Sequence, residues 1–208
     1  SIPADENSFG FAVGLGVSRV HAQAYMDNSE NIANKVDLKK IGLSCDPAKG
    51  NDTCAKAWID SFGQKLHRRP LSKEEKDRAF QLYKKIKDKF GFQMGIKVAL
   101  QFFLQSPHFL YRYERGGTAQ SGKVTPLNSY EIAVRLSYFL WKSVPDAALI
   151  KAAQEGKLQT KEQIEAQAKR MLEDPKAKRT IHNFFDQWLE LEKLDTVSKS
   201  QPDRKSVV

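Results

Sequence analysis

The pattern of apolar and polar residues along the 208-residue chain has a helical period almost throughout. No segment shows sustained two-residue alternation with β-branched enrichment, which would indicate strands. The densest apolar run spans residues 92–114, where Ile96 and Phe103 share one face of a predicted helix. Pro107 interrupts that helix, and a second short helical segment is predicted at 108–113. The chain is therefore predicted to be all-α, with seven to nine helices in one or two packed helical subdomains.

Capping residues mark where these predicted helices begin and end. Ser72 and Glu75 form a capping box that opens a helix ending near Phe90. Asn128 opens another helix by the same logic, ending near Lys142. The other predicted helices run from Ser18 to about Val36, from Asp52 or Thr53 to about Arg68, and onward from Pro145, Thr160 and Pro175.

The helix predicted to begin at Pro175 contains many large apolar residues for a segment so late in the chain. Such a content predicts a buried helix. Its predicted core residues are Ile181, Phe184, Phe185, Trp188, Leu189 and Leu191. Leu172 is also predicted to point inward, and Phe139 shares the apolar face of its own helix. A sizeable second core is therefore expected in this part of the chain.

Composition favours a folded, basic protein. With 40% hydrophobic residues the chain can build a real core, which excludes disorder throughout. The net charge is +9, and the excess of lysine and arginine is concentrated between Gln64 and Phe90. That concentration is typical either of a nucleic-acid footprint or of the solvated face of an amphipathic helix. Acidic residues such as Glu74 and Asp77 interleave with the bases and favour the solvated face, so nucleic acid is not the expected partner.

Cys45 and Cys54 are the two cysteines of the chain, and they flank a polar loop that contains Pro47 and Gly50. This arrangement favours a local disulfide and hence an oxidising compartment, either periplasmic or extracellular. Two unrelated thiols, or half of a metal site, are the alternatives. A metal site needs further ligands, but the histidines are spread along the chain without paired ligand spacing. No apolar run reaches the length that spans a bilayer, so no membrane span is predicted.

Four sequence strings carry a resemblance to known proteins. They are residues 66–71 (LHRRPL), 104–112 (LQSPHFLYR), 135–141 (RLSYFLW) and 183–189 (NFFDQWL). In this order and spacing they resemble large secreted bacterial proteins that contain domains of unknown function 1595 and 1592, often found with planctomycete-type cytochrome c modules. The resemblance covers most of the chain. It implies a secreted or periplasmic location and a piece of a longer protein.

The resemblance also implies how the chain is divided. Residues 1–36 would be an irregular arm and a first helix, forming the tail of a preceding domain. Residues 37–115 would be a helical domain resembling family 1595, and residues 124–196 a helical domain resembling the start of family 1592. Independently of the resemblance, the polar composition of residues 197–208 predicts a frayed tail.

Within the four strings, several polar residues lie on otherwise apolar predicted helices. They are His108, Arg112, Arg135 and Tyr138. Because a buried arginine needs a carboxylate or backbone carbonyls, the favoured interpretation is structural pairing between packed helices. The candidate partner acids are Glu114, Glu131 and Asp146. The alternative is a cationic pocket for an anionic group, with His108 as a proton-transfer or ligand residue. No catalytic residue is assigned.

The sequence contains no Cys-x-x-Cys-His haem-attachment motif, cysteine cluster or nucleotide-binding loop. We therefore expect no cofactor on this chain. The favoured function is a non-catalytic helical scaffold or partner-binding module of a larger secreted or periplasmic protein. Its partner would be another protein or the remaining domains of the same chain. The alternative is part of a haem-linked oxidoreductase or electron-transfer protein whose redox centre lies elsewhere in the full chain.

We expect the purified chain to be colourless and free of metal, because its sequence supplies no recognisable redox centre. An absorption spectrum and elemental analysis check this. Non-covalent haem with His108 as axial ligand is the competing possibility. A Soret band that disappears in a His108→Ala variant would contradict the expectation and favour the oxidoreductase.

Overall fold

The computed structural model describes residues 6–8, 11–13, 17–112, 114, 116 and 125–195. These residues contain nine α-helices, which confirms the all-α prediction. The helices are α1 (Arg19–Lys35), α2 (Asp52–His67), α3 (Lys73–Phe90), α4 (Phe92–Leu104), α5 (Pro107–Leu110), α6 (Ser129–Trp141), α7 (Ala147–Gln154), α8 (Lys161–Leu172) and α9 (Pro175–Trp188). Two short 3-10 helices, Leu38–Lys40 and Leu191–Asp195, complete the helical structure of these residues. No helix among them is both long enough and apolar enough to cross a membrane.

The segment before α1 contains a short hairpin where the sequence predicted an irregular arm. Strands β1 (Glu6–Ser8) and β2 (Phe11–Val13) pair antiparallel, with Glu6 opposite Val13. Strands of three residues are too short to produce a recognisable alternation in the sequence. The predicted frayed tail at 197–208 lies outside the described residues.

Side-chain caps fix the helix starts as the sequence predicted. The Ser72 hydroxyl accepts from the Glu75 backbone N–H at 3.2 Å, and the Glu75 carboxylate accepts from the Ser72 N–H at 2.8 Å. Asn128 and Glu131 form the same reciprocal pair at the start of α6. The short helix α5 ends at Leu110, before the predicted boundary, because the chain turns to extended geometry at Tyr111.

Two clusters of buried side chains form two cores. The first lies among α2, α3 and α4 and is built around Trp58, Tyr83 and Phe103. The second lies among α6, α7, α8 and α9 and includes Trp141 and Met171. Each core tryptophan donates its indole N–H to a backbone carbonyl, at 3.1 Å for Trp58 and 2.8 Å for Trp141. Both large side chains are thus buried without leaving a polar atom unsatisfied.

The predicted disulfide between Cys45 and Cys54 is confirmed. Cys54 lies in the first turn of α2 and is buried. The bond therefore fastens the loop before α2 to the first core. In the chain-entropy view, closing so short a loop stabilises the fold by about 2–3 kcal/mol.

The prediction that the apolar residues of the last helix are buried is wrong. The side chains of Ile181, Phe184, Phe185, Trp188, Leu189 and Leu191 are all exposed, and Trp188 is 57% exposed. Helix α9 buries Ala177 and packs on α6 and α8 through its other face. Leu172 and Phe139 are exposed as well. Periodicity shows which face of a helix is apolar, but it does not show whether another element covers that face.

Helices α3 and α4 pack closely because Gly95 has no side chain. A Cβ atom at Gly95 would lie 2.8 Å from the Tyr83 ring and 3.0 Å from the Tyr83 carbonyl oxygen. Such distances are shorter than van der Waals contact, and the carbonyl belongs to the rigid backbone of α3. The glycine therefore fixes how near the two helices approach.

We predict that Gly95→Ala lowers the free energy of unfolding, although alanine is intrinsically the better helix former. Separating α3 from α4 should cost about 1–3 kcal/mol, more than the roughly 1 kcal/mol gained in helix propensity. Urea denaturation followed by circular dichroism measures the change. Gln93→Ala, at an exposed position of the same helix, serves as the control and should change stability by less than about 0.5 kcal/mol. Equal stability of wild type and Gly95→Ala would contradict the close-packing argument.

Candidate functional site

A buried arginine, Arg68, stands at the end of α2 and binds the end of α5. Its guanidinium donates to the carbonyl oxygens of His108 at 2.5 Å, Tyr111 at 2.8 Å and Phe109 at 3.3 Å. Carbonyls at a helix C-terminus lack partners within the helix, so a guanidinium fork is well suited to them. Arg68 adopts a left-handed backbone conformation with φ of 58°, which ends α2. The side chain thereby fastens α5 to the first core.

Tyr138 on α6 brings Arg68 and Arg112 together. Arg68 donates a further hydrogen bond to the Tyr138 hydroxyl at 3.3 Å. The guanidinium carbons of Arg68 and Arg112 lie 5.8 Å and 5.0 Å from the centre of the Tyr138 ring. Both distances fall within the range of cation–π attraction. Among the residues that the structure describes, neither of these two arginines forms an ion pair with a carboxylate.

Arg135, also a predicted site residue, points elsewhere and forms an exposed ion pair. Its Nε donates to Glu114 Oε1 at 3.0 Å, and its Nη2 donates to Glu114 Oε2. The pair lowers the pKa of Glu114 and raises that of Arg135, mainly through these hydrogen bonds. Asp146, another candidate partner acid, instead binds Arg170 at 2.8 Å and 3.2 Å. Glu131 accepts from the backbone N–H groups of Gly116 and Asn128.

Two histidines converge on one carboxylate oxygen beside Arg68. His67 Nδ1 lies 3.7 Å from Glu75 Oε1, and His108 Nε2 lies 3.6 Å from the same oxygen. The two imidazole rings are 5.0 Å apart between centroids. Glu75 is fixed by Arg69, whose guanidinium nitrogens lie at 2.7 Å and 2.9 Å from its two oxygens. The predicted residue His108 thus belongs to a cluster with two residues, His67 and Glu75, that sequence reasoning did not select.

Charge states in this cluster are set by burial and by Arg69. Hydrogen bonds from Arg69 and from the Ser72 backbone hold the pKa of Glu75 at about 2, against the opposing effect of burial. Burial lowers the pKa of His67 to about 4, although the Glu75 charge acts in the opposite direction. His67 is therefore neutral at pH 7. Neither of its ring nitrogens has a hydrogen-bond partner among the described residues, and its ring packs edge-on against Phe103 at 5.7 Å.

A cavity of about 600 Å³ opens beside this cluster, between α3 and the start of α6. We call it the arginine cavity, because its lining includes Arg68, Arg69, Arg78 and Arg112. The other charged or titratable lining residues are His67, His108, Glu74, Glu75, Tyr130 and Glu131. Of the four predicted site residues, His108 and Arg112 line this cavity. The Tyr138 ring contacts the Arg112 guanidinium, and Arg135 lies outside the cavity, paired with Glu114.

Two further observations bear on what the site can bind. No group of three or more His, Cys, Asp or Glu side chains within the described part of the chain is arranged to hold a metal ion. Another cavity, of about 910 Å³, lies between α2 and α7 and is also lined by Arg68. Its lining combines apolar residues (Val144, Pro145 and Ile150) with charged ones (Lys65, Asp146, Lys151 and Glu155). The arginine cavity differs from it in holding four arginines and two histidines, whereas the lining of the other cavity includes one arginine, Arg68.

Comparison with known families confirms the resemblance seen in the sequence strings. Residues 54–114, which hold most of α2 and all of α3, α4 and α5, match the family model described as PSD5, a protein of unknown function (DUF1595). Residues 127–207, which include α6 to α9, match the model described as PSD4, a protein of unknown function (DUF1592). No curated protein and no solved structure matches the chain. These matches carry no activity, so a functional proposal must come from the geometry.

We predict that His67 makes the protein less stable as the pH falls from about 6.5 to about 4. The folded pKa of about 4 lies below the ordinary value of 6.5, so within this window the unfolded chain takes up a proton that the folded chain does not. The free energy of unfolding should fall by up to roughly 3 kcal/mol across the window. Urea denaturation at a series of pH values measures it.

A His67→Leu variant should lose most of this slope, since it removes the titrating ring. His182→Leu, at an exposed position of α9, is the matched control and should keep the slope. The depressed pKa of Glu75 changes the free energy of unfolding at lower pH, between its ordinary value of 4.5 and about 2. It therefore does not account for the loss of stability between pH 6.5 and 4.5. Identical slopes in wild type and His67→Leu would show that His67 is not the group responsible.

Proposed function

We propose that this chain is a non-catalytic helical module that binds a protein partner through α9, as part of a larger secreted or periplasmic protein. The binding surface is the aromatic face of α9, defined by Ile181, Phe184, Phe185, Trp188 and Leu189. The observation that carries the proposal is that all five of these large apolar side chains are exposed, four of them on α9 and Leu189 directly after its end. Contiguous apolar surface of this kind is typical of interaction sites.

The spacing of these residues matches a helix that lies in a groove. Ile181, Phe184, Phe185 and Trp188 stand at positions i, i+3, i+4 and i+7, the pattern of anchor residues in helix-in-groove recognition. Three of the rings contact one another, with centroids 5.5 Å apart for Phe184 and Phe185, and 5.9 Å apart for Phe185 and Trp188. Clustered aromatic side chains supply most of the binding energy in many interfaces. A partner that covers them would remove a large apolar area from water.

The charged residues next to the aromatic face indicate what kind of groove the partner needs to bind it. Lys178, Arg179 and His182 are exposed along the N-terminal half of α9. The whole chain is basic, with a net charge of +9. A suitable partner therefore presents an apolar groove with acidic residues along its border, because complementary charge steers association and fixes register. The Cys45–Cys54 disulfide supports placing this interaction in an oxidising compartment.

Photo-crosslinking in the intact protein in its own cells tests the proposal. A p-benzoylphenylalanine residue in place of Trp188 should crosslink to one defined protein segment, identified by mass spectrometry as apolar with acidic neighbours. The same residue in place of Phe90, which is 67% exposed on α3, is the matched control and should give no such product. Equal crosslinking at both positions, none at Trp188, or a partner surface that is basic would contradict the proposal.

Binding of the identified partner then gives the energetics. Phe185→Ser should weaken binding by at least about 2 kcal/mol, the loss expected for a central aromatic anchor. Charge reversal by Lys178→Glu with Arg179→Glu should slow association, and high salt should reduce the difference from wild type. Phe90→Ser should leave affinity unchanged. Circular dichroism confirms that each variant is folded.

A further inference from the structure

Four arginines and three glutamates line the arginine cavity, so its side chains carry one more positive charge than negative charges. Arg69 is paired with Glu75, so that pair adds no net charge. Glu74 accepts from the Ser72 hydroxyl at 2.8 Å, and Glu131 accepts from two backbone N–H groups. Arg78 donates to the backbone carbonyl of Glu74. Within the described residues, the three arginines Arg68, Arg78 and Arg112 therefore face the cavity without an ion pair.

Arg68 contributes its charge to this cavity without being available to bind anything new. Its four hydrogen bonds, to three carbonyls and the Tyr138 hydroxyl, occupy four of the five N–H donors of a guanidinium. Dipoles of these acceptors solvate the charge but do not cancel it. Because the side chain is only 5% exposed, water screens it poorly. The result is a positive potential at the cavity wall that attracts anions.

Arg112 and Arg78 differ from Arg68 because their guanidinium groups are accessible. Both residues are exposed and line the cavity from different elements: Arg78 lies on α3, and Arg112 lies on the segment after α5. Tyr138 holds Arg112 in place by ring contact, which leaves the donor edge of the guanidinium available. A planar guanidinium edge matches a carboxylate or phosphate group through two parallel hydrogen bonds.

We propose that the arginine cavity is a binding site for a small organic anion, with Arg112 and Arg78 donating hydrogen bonds to its carboxylate or phosphate group. The cavity volume of about 600 Å³ lies in the range of small-molecule sites and exceeds what a single inorganic ion fills. The body of the ligand is polar, because Ser72, Asn128 and Tyr130 also line the cavity. His108 borders the site beside Glu75. This proposal is independent of the aromatic face of α9.

Isothermal titration calorimetry on the intact 208-residue chain tests it, at a constant low ionic strength maintained with NaCl. The probes are malonate, inorganic phosphate and malonamide, the last being a neutral analogue of malonate. Malonate or phosphate should bind, and malonamide should not. Binding of malonate alone assigns the site to carboxylates, and binding of phosphate alone assigns it to phosphate groups. Competition between the two assigns it to both.

Arg112→Ala should weaken binding of the effective probe by at least about tenfold, because it removes a charge-assisted, bidentate contact. Arg78→Ala, at an exposed position of α3, should also weaken it and provides a second test. Arg179→Ala is the matched control: it removes the same charge at an exposed position of α9, outside the cavity, and should change affinity by less than about twofold. Melting temperatures confirm that each variant is folded.

Three results would overturn the proposal. The first is that neither malonate nor phosphate binds. The second is that malonamide binds as well as malonate, which would mean that charge plays no part. The third is equal weakening by Arg112→Ala and Arg179→Ala, which would assign the effect to the general positive charge of the chain rather than to this cavity.

Discussion

The buried guanidinium of Arg68 is the interaction on which the junction between the two helical groups depends. Removing a charged group from water costs several kcal/mol unless polar partners replace the water. Here the partners are three carbonyls at the end of α5 and the hydroxyl of Tyr138 on α6. Such partners are available only when α2, α5 and α6 are all in place. The requirement to satisfy one charge therefore fixes where these helices meet, and with them the position of the arginine cavity.

Burial and the neighbouring arginines set the protonation states of the groups beside Arg68. A protonated His67 would add another buried cation beside Arg68 and Arg69, and both arginines oppose it, although burial is the larger effect. Glu75, in contrast, is held in its charged form, because the hydrogen bonds from Arg69 stabilise the carboxylate. The junction thus holds a neutral imidazole, a paired carboxylate and arginines that keep their charge. Within the part of the chain that the structure describes, the buried His67 ring has no hydrogen-bond partner, and it packs edge-on against Phe103.

Local features of this fold could be predicted from the sequence, and long-range ones could not. Caps at Ser72 and Asn128 act on residues two or three positions away, so their side chains identify the helix starts directly. Arg68 meets its partners 40 to 70 positions along the chain, and nothing in its neighbourhood indicates them. Within the predicted site, His108 and Arg112 reach one cavity while Arg135 turns to Glu114. The capping box gives Glu75 a local role in the sequence, and nothing nearby in the chain indicates its second role beside His67 and His108.

The two helical groups differ from their junction in the kind of interaction that holds them. Each group has its own apolar core with a tryptophan bonded to a backbone carbonyl, so each has a reason to fold by itself. The junction is polar, and its geometry depends on directional hydrogen bonds rather than on buried apolar area. The arginine cavity is lined from both sides, by α3 residues such as Arg78 and by α6 residues such as Tyr130. A ligand that reaches from Arg78 to Tyr130 would contact both groups at once, and its binding energy would then add to the stability of their arrangement.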